Sequence, residues 1–164
     1  MKNNYKNLYV FNPDTNTPVP AEDWLKDADP TRAQLFGFKS GDGILLMTKS
    51  PIAYGVTFDE AQKLAANFSI KGTDLKFRCI TRREVIDYQY ALDEGLTDLV
   101  KAIGGDVSYG WIWTSERDAK DGWFARRSNA YTAWFFHSTY GTLNASYVSY
   151  AFRCQAVSFY PTQS

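Results

Sequence analysis

The side chains that most often carry catalysis are few and scattered in this sequence. His137 is the only histidine among 164 residues, and Ser138 and Thr139 adjoin it. Neighbouring residues on a strand point to opposite faces, so these hydroxyls are poorly placed to form a triad with the imidazole. The carboxylate pairs Asp59–Glu60 and Asp93–Glu94 lie at predicted helix starts, where negative charge complements the helix dipole. We therefore predict no catalytic residues and no enzyme activity, with His137 an exposed or contact residue.

The two cysteines, Cys79 and Cys154, do not suggest a metal site. Two thiols without a histidine cluster cannot complete a structural zinc site, so we predict neither a metal nor another cofactor. One interpretation is that both are small buried core residues. The alternative is a disulfide, if the protein works in an oxidising location.

Charge is unevenly distributed, although the net charge is zero. All 18 acidic residues lie at or before Asp121, and after it only Arg126, Arg127 and Arg153 carry charge. Three arginines are too few to follow a phosphate backbone, so no nucleic-acid partner is expected.

No apolar stretch reaches membrane-spanning length, and no apolar segment of a signal peptide follows Met1. The sequence therefore predicts no membrane insertion. A cytoplasmic or virion-associated protein is expected, or a cell-surface one if a signal has been trimmed.

Two helices are marked by capping boxes. Thr57 with Glu60, and Thr81 with Glu84, have the spacing in which each side chain binds the other residue's backbone N–H. Apolar residues then recur on one face, which predicts helices over residues 57–68 and 81–92. A third, short helix is predicted over residues 97–103.

Strand patterns occupy the rest of the chain. Strands are predicted over residues 8–11, 34–38, 43–48, 110–115, 132–137 and 150–159, and the proline-containing residues 12–20 are predicted to be loop. Helices followed by strands, without βαβ alternation, indicate an α+β domain. We divide it into residues 1–42, an N-terminal extension with short strands, and residues 43–164, a binding domain.

Four short motifs occur in a characteristic order on these predicted elements. They are CITRRE at residues 79–84, WIWTSE at 111–116, AW at 133–134 followed by Gly141, and FRCQAV at 152–157. This pattern resembles the C-type-lectin-like family, in which two main helices pack on an antiparallel sheet closed by the C-terminal strand. The resemblance covers residues 43–159. It also implies that Cys79 and Cys154 are near neighbours, which we expect to be reduced in a cytoplasmic product.

The subfamilies of this fold differ in their chemistry. Calcium-dependent lectins use acidic loops near the C-terminus, and this chain has no acidic residue after Asp121. The resemblance otherwise implies a ligand- or receptor-binding module, as in phage receptor-binding proteins or in the variable proteins of diversity-generating retroelements. The alternative is an enzyme related to the formylglycine-generating sulfatase-modifying factors.

The composition of residues 124–154 fits a recognition surface. The segment is rich in Tyr, Ser, Asn and Thr and contains no Lys, Glu, Gln or Met. Antibody-like binding surfaces have similar compositions. In retroelement variable proteins, adenine mutagenesis of Asn codons produces a comparable set of residues near the C-terminus. A second interpretation is that an ordinary strand-rich surface favours the same types.

We accordingly predict a protein or cell-surface receptor as partner, with assembly into a phage or surface structure. Trp111, Trp113, Trp134 and Phe152 are predicted to be core residues. The predicted binding residues surround the strands after Trp123, and they are Ser128, Asn129, Tyr131, His137, Ser138, Tyr140, Thr142, Asn144, Ser146, Tyr147, Ser149 and Tyr150.

Overall fold

The structure is a computed structural model that describes residues 5–118 and 132–162. These residues contain ten strands and four α-helices, so the predicted α+β class is confirmed. The strands are β1 (Leu8–Asn12), β2 (Thr17–Pro20), β3 (Leu35–Ser40), β4 (Gly43–Thr48), β5 (Ala53–Val56), β6 (Trp111–Arg117), β7 (Thr132–His137), β8 (Leu143–Tyr147), β9 (Phe152–Cys154) and β10 (Val157–Pro161). The helices are α1 (Ala21–Trp24), α2 (Phe58–Asn67), α3 (Arg82–Asp93) and α4 (Leu96–Ala102).

The two long helices begin where their capping boxes predict. Thr57 Oγ1 accepts a hydrogen bond from the Glu60 N–H, and the Glu60 carboxylate accepts one from the Thr57 N–H. Thr81 and Glu84 repeat this arrangement at the start of α3. The assignment of Asp93–Glu94 to a helix start is wrong, because Asp93 is the last residue of α3 and Glu94 is its C-cap.

The strands form two sheets rather than one. The first has the order β10-β4-β3-β1-β2 and is antiparallel throughout. The second has the order β5-β9-β6-β7-β8, in which β6 and β9 are parallel at Ile112 and Arg153 and the other pairs are antiparallel.

The prediction of one closing strand over residues 150–159 is wrong. The chain leaves the second sheet after β9 and joins the first as β10, and Thr48 forms hydrogen bonds with the residues between the two strands. The Gln155 side chain donates to the Thr48 carbonyl at 2.6 Å, and the Thr48 N–H donates to the Ala156 carbonyl at 3.0 Å. On either side of the crossing, Ala156 and Val157 lie in different core clusters.

The N-terminal strands belong to the first sheet. β1 pairs with β3, and β3 pairs with β4 along its full length. The boundary predicted after residue 42 therefore falls in the β3–β4 turn. Residues 17–20, predicted to be loop, form the edge strand β2, where proline needs no backbone donor on its open side.

The described residues lack two features, a membrane-spanning helix and a cluster of metal ligands. None of their helices is long and apolar enough to cross a membrane. They contain no group of three or more His, Cys, Asp or Glu side chains that could hold a metal ion.

Candidate recognition site

Strands β6 and β7 place four aromatic rings on one face of the second sheet. Trp113 pairs with Phe135, and Trp111 pairs with His137 one step further along. Helix α2 covers Trp113: the Phe58 ring lies 5.6 Å from the Trp113 ring, and Trp113 is fully buried. Its indole N–H donates to the Val56 carbonyl at 2.9 Å.

Trp111 lies beyond the reach of α2. Its side chain is 43% exposed, so the prediction that Trp111 is a core residue is wrong. Trp134 and Phe152, also predicted to be core, are half-buried. The guanidinium of Arg82 lies over the Trp134 ring at 4.7 Å, where a cation–π contact is favourable.

A continuous series of ring contacts surrounds Trp111. We call it the aromatic face, and its members are Tyr109, Trp111, His137, Tyr140, Tyr147, Tyr150 and Phe152. Successive ring centroids along it lie 4.2–6.2 Å apart. Five of these side chains are among the most exposed large apolar groups of the described chain, namely Tyr109, Trp111, Tyr140, Tyr147 and Tyr150.

His137 is the buried member of the aromatic face. It is only 6% exposed, so the prediction of an exposed or contact residue is wrong. Its Nδ1 accepts hydrogen bonds from the backbone N–H groups of Thr139 (3.1 Å) and Tyr140 (3.3 Å). We therefore assign the neutral imidazole proton to Nε2, which has no hydrogen-bond partner among the described residues. The imidazole fixes the turn that carries Tyr140, whose ring stacks on it at 4.9 Å.

The loop that carries Tyr109 is held by Arg153. The Arg153 guanidinium donates to the Ser108 carbonyl, the Ser108 hydroxyl and the Tyr109 carbonyl at 3.0–3.2 Å. Gly110 lies directly against this guanidinium, and a Cβ at that position would come within 2.5 Å of it. A side chain at position 110 would therefore displace the Arg153 guanidinium from these hydrogen bonds.

Tyr54 and Asp106 complete this network. The Tyr54 hydroxyl donates to the Asp106 carboxylate, and the Arg153 guanidinium lies 5.2 Å from the centre of the Tyr54 ring. Hydrogen bonds from the Ser108 side chain and then from Tyr54 hold the pKa of Asp106 at about 2. The same bond to Asp106 raises the pKa of Tyr54. The carboxylate is consequently charged at neutral pH, opposite Arg153.

The predicted binding residues are placed as follows. Six of them are exposed, and these are Tyr140, Thr142, Asn144, Tyr147, Ser149 and Tyr150. Ser138 and Ser146 are half-buried, and His137 is buried. Ser138 Oγ is used internally, because it accepts from the Gly110 N–H at 3.0 Å and donates to the Ser108 carbonyl at 3.1 Å. Ser128, Asn129 and Tyr131 lie outside the described residues.

The sequence did not predict Tyr109 and Trp111, two exposed members of the aromatic face, or Tyr54, which lies beside it against Arg153. Tyr54 lies in β5, which was not predicted. Tyr109 lies in a segment after α4 to which no role was given. Its neighbours Ser108 and Gly110 are turn-forming residues before an aromatic strand, and that pattern is the signal that was available.

The two cysteines are near neighbours, as the resemblance implied. Both thiols point to the Ala61 carbonyl, with Sγ–O distances of 3.6 Å for Cys79 and 3.3 Å for Cys154. Both are free and at most 1% exposed. The hydrogen bond to Cys154 and then burial raise the pKa of Cys79. They therefore lie in the core, away from the aromatic face.

Comparison with protein-family models and with curated proteins gives no match to this chain.

Proposed function

We propose that this chain is a ligand-binding module with a C-type-lectin-like fold, and that it binds a protein or cell-surface receptor through the aromatic face. The four motifs support the fold. CITRRE leads into α3, WIWTSE lies in β6, AW lies in β7 before the turn at Gly141, and FRCQAV spans β9 and β10.

One observation carries the proposal: five large aromatic side chains remain exposed on a rigid scaffold. Monomeric proteins rarely expose contiguous apolar patches larger than roughly a few hundred Å², and clusters of exposed large apolar rings often mark binding sites. Tyrosine and tryptophan give large contact area with few rotatable bonds, so they dominate binding energy. Here the rings are mounted on paired strands and on turns fixed by His137 and Arg153.

Diversification of this surface is a further part of the proposal. The exposed residues Tyr140, Thr142, Asn144, Ser149 and Tyr150 lie in turns and at strand ends, where substitution leaves the sheet ladder intact. A retroelement that mutates adenines could therefore vary them without unfolding the domain. The module would then be the tip of a phage or cell-surface structure.

A paired selection tests the binding role. One library randomises Tyr140, Thr142, Asn144, Tyr147 and Tyr150, and a control library randomises Lys63, Leu64, Ile86 and Tyr90, which are exposed on α2 and α3. Both are displayed and selected against the same purified probe protein, lysozyme. We expect binders from the first library only. Equal yields from the two libraries would contradict the proposal, because any surface of the domain would then serve.

Binding by a selected clone then gives a quantitative check. Replacing one of its retained aromatic residues by alanine should weaken affinity by about 1–3 kcal/mol, the range of interface hot spots. The folded fraction at 25 °C should stay unchanged, which separates loss of contact from loss of fold.

The neighbouring DNA tests diversification. A reverse-transcriptase gene beside a near-copy of the region that encodes residues 124–154, differing from it at adenines, is the expected finding. Flanking DNA with neither feature would refute the retroelement part and leave the binding role to the selection experiment.

A further inference from the structure

The edges of the two sheets differ in how they are protected. Unpaired N–H and C=O groups at an edge form a template for pairing with another chain, and proteins blunt them with proline, charge, bulges or covering segments. The sheets end in the four edge strands β2, β10, β5 and β8.

Three of these edges are blunted. Strand β2 has two prolines in its four residues. The outer edge of β10 is capped by the chain itself, because Arg78 and Val157 exchange two backbone hydrogen bonds of 3.0 and 2.8 Å. Strand β5 is interrupted by a register shift, with Gly55 in the left-handed region at φ +67°.

Among the described residues no strand covers the outer edge of β8, where only its last residue, Tyr147, has a backbone partner, the Tyr150 N–H at 3.0 Å. The sequence of β8, LNASY, contains no proline, glycine or charge, and the strand pairs with β7 in unbroken register. The His137 N–H donates to the Thr142 carbonyl, which sets the alternation of the ladder. Asn144 and Ser146 therefore point their backbone groups at β7, and Leu143 and Ala145 point theirs outwards.

The described part of the chain offers no backbone partner to this outer edge along residues 143–145. The Ala145 N–H is bound only by the neighbouring Asn144 Oδ1, at 2.9 Å. This local bond confirms that the Ala145 amide lies outside the β7–β8 ladder.

We propose that β8 pairs antiparallel with β8 of a second copy of this chain, about a two-fold axis at Ala145. In this register the two Ala145 residues exchange N–H···O=C bonds, and Leu143 of each copy lies opposite Tyr147 of the other. Small residues at the axis permit close approach, and the apolar–aromatic pairs beside it favour the pairing. No like charges meet across the axis, because the strand carries none.

The dimer has a consequence for recognition, although it does not depend on what the aromatic face binds. Antiparallel edge pairing joins the two second sheets into one ten-stranded sheet whose two-fold axis is perpendicular to it. Corresponding faces of the two copies then lie on the same side of the joined sheet. Two aromatic faces are presented together, and a ligand with repeated sites would be bound with increased avidity.

Sedimentation equilibrium from about 10 µM to about 1 mM tests the proposal. We expect a monomer–dimer equilibrium for the unchanged chain. Ala145→Pro removes an outward N–H without removing a bond to β7, and it should weaken dimerisation by about tenfold or more. Ala145→Ser, which keeps the N–H, is the matched control and should dimerise like the unchanged chain. Asn144→Ala frees the Ala145 N–H and should dimerise more tightly.

A monomer throughout this concentration range overturns the proposal, and so does a dimer that Ala145→Pro leaves unchanged. If the proline variant fails to fold, amide hydrogen exchange on the unchanged chain tests the β8 pairing instead. Protection of the Leu143 and Ala145 amides that rises with protein concentration supports the β8 pairing. Protection that is independent of concentration refutes it.

Discussion

Trp111 and Trp113 lie two residues apart on the same face of the same strand, yet their surroundings are opposite. Trp113 is covered by Phe58 of α2, and its indole N–H has a backbone acceptor. Trp111 is 43% exposed and touches the rings of Tyr109, His137 and Phe152. We call the end of the sheet at Trp113 the sealed end and the end at Trp111 the open end. The two residues share their type and their face of the strand, so the difference in exposure comes from where α2 lies.

This comparison separates the aromatic area that stabilises the fold from the area that the proposed recognition would use. At the sealed end aromatic area is buried within the chain and contributes to folding. At the open end the same kind of aromatic area is exposed to water. The proposed partner would bury this area on binding. Mutations at the two ends should therefore affect different measurements.

The largest expected effect is at the sealed end. Trp113→Ala removes a fully buried indole and should lower the free energy of unfolding by about 3–5 kcal/mol. Trp111→Ala should lower it by less than about 1 kcal/mol, because its environment is already half solvent. Urea unfolding of both variants measures the difference. Equal losses would show that the open end is core after all.

His137 should give an intermediate effect, since it is buried but belongs to the open end. His137→Ala leaves the Thr139 and Tyr140 amides without their acceptor and should cost about 1–3 kcal/mol. His137→Asn offers a side-chain oxygen to the same amides and should recover part of this loss. An asparagine variant no better than alanine in thermal unfolding would argue against the acceptor role.

The contribution of Asp106 to the stability of the open end depends on pH. Its folded pKa of about 2 lies below the usual value of about 3.9, so the carboxylate stabilises the fold fully above pH 4 or so. That contribution is lost as the pH falls from about 4 towards about 2. Asp106→Asn should therefore be less stable than the unchanged chain at neutral pH.

Denaturant unfolding of the two chains from about pH 7 to about pH 3 measures this effect. The stability difference between them should begin to shrink below about pH 4. A difference that stays constant over the whole range would mean that Asp106 is not held by Tyr54 and Ser108 as described.

The smallest stability effect is expected at the exposed tyrosines. Tyr140→Ala should change the free energy of unfolding by about 0.5 kcal/mol or less, because 66% of this side chain is already exposed. Phe136→Ala, in the neighbouring strand, is the contrast: its ring is fully buried and should cost about 3–5 kcal/mol. Similar losses for the two would remove the distinction between surface and core in this region.

Local patterns predicted the helices well and the sheets less well. Capping boxes at Thr57 and Thr81 are complete within four residues, so the sequence alone located both helix starts. Strand pairing depends on distant residues, and neither the division into two sheets nor the crossing at Thr48 leaves a local pattern. Strands β5 and β8 were missed because they have only four and five residues, and because β5 contains glycine and β8 contains asparagine and serine, which are common in turns.

The composition of the chain led to only part of the candidate site. The tyrosines of residues 140–150 stand out because they occur with serine and asparagine. Exposure of Trp111 could not be predicted, because it depends on how far α2 extends over the sheet. Burial of His137 could not be predicted either, because it depends on the Tyr109 and Tyr140 rings that lie against it. Arg153 was placed correctly in a strand, but its contacts with Ser108 and Tyr54 join segments far apart in the chain.

Substitution tolerance tests most directly whether the open end is a recognition surface on a self-sufficient core. Every residue of β6, β7 and the segment 138–151 is replaced by all others, the variants are displayed, and folded ones are counted by resistance to protease. We predict that Tyr140, Tyr147 and Tyr150 accept most substitutions, whereas Trp113 and Phe136 accept almost none. Tyrosines as intolerant as Trp113 would show that the aromatic face is needed for folding, which would contradict the proposed function.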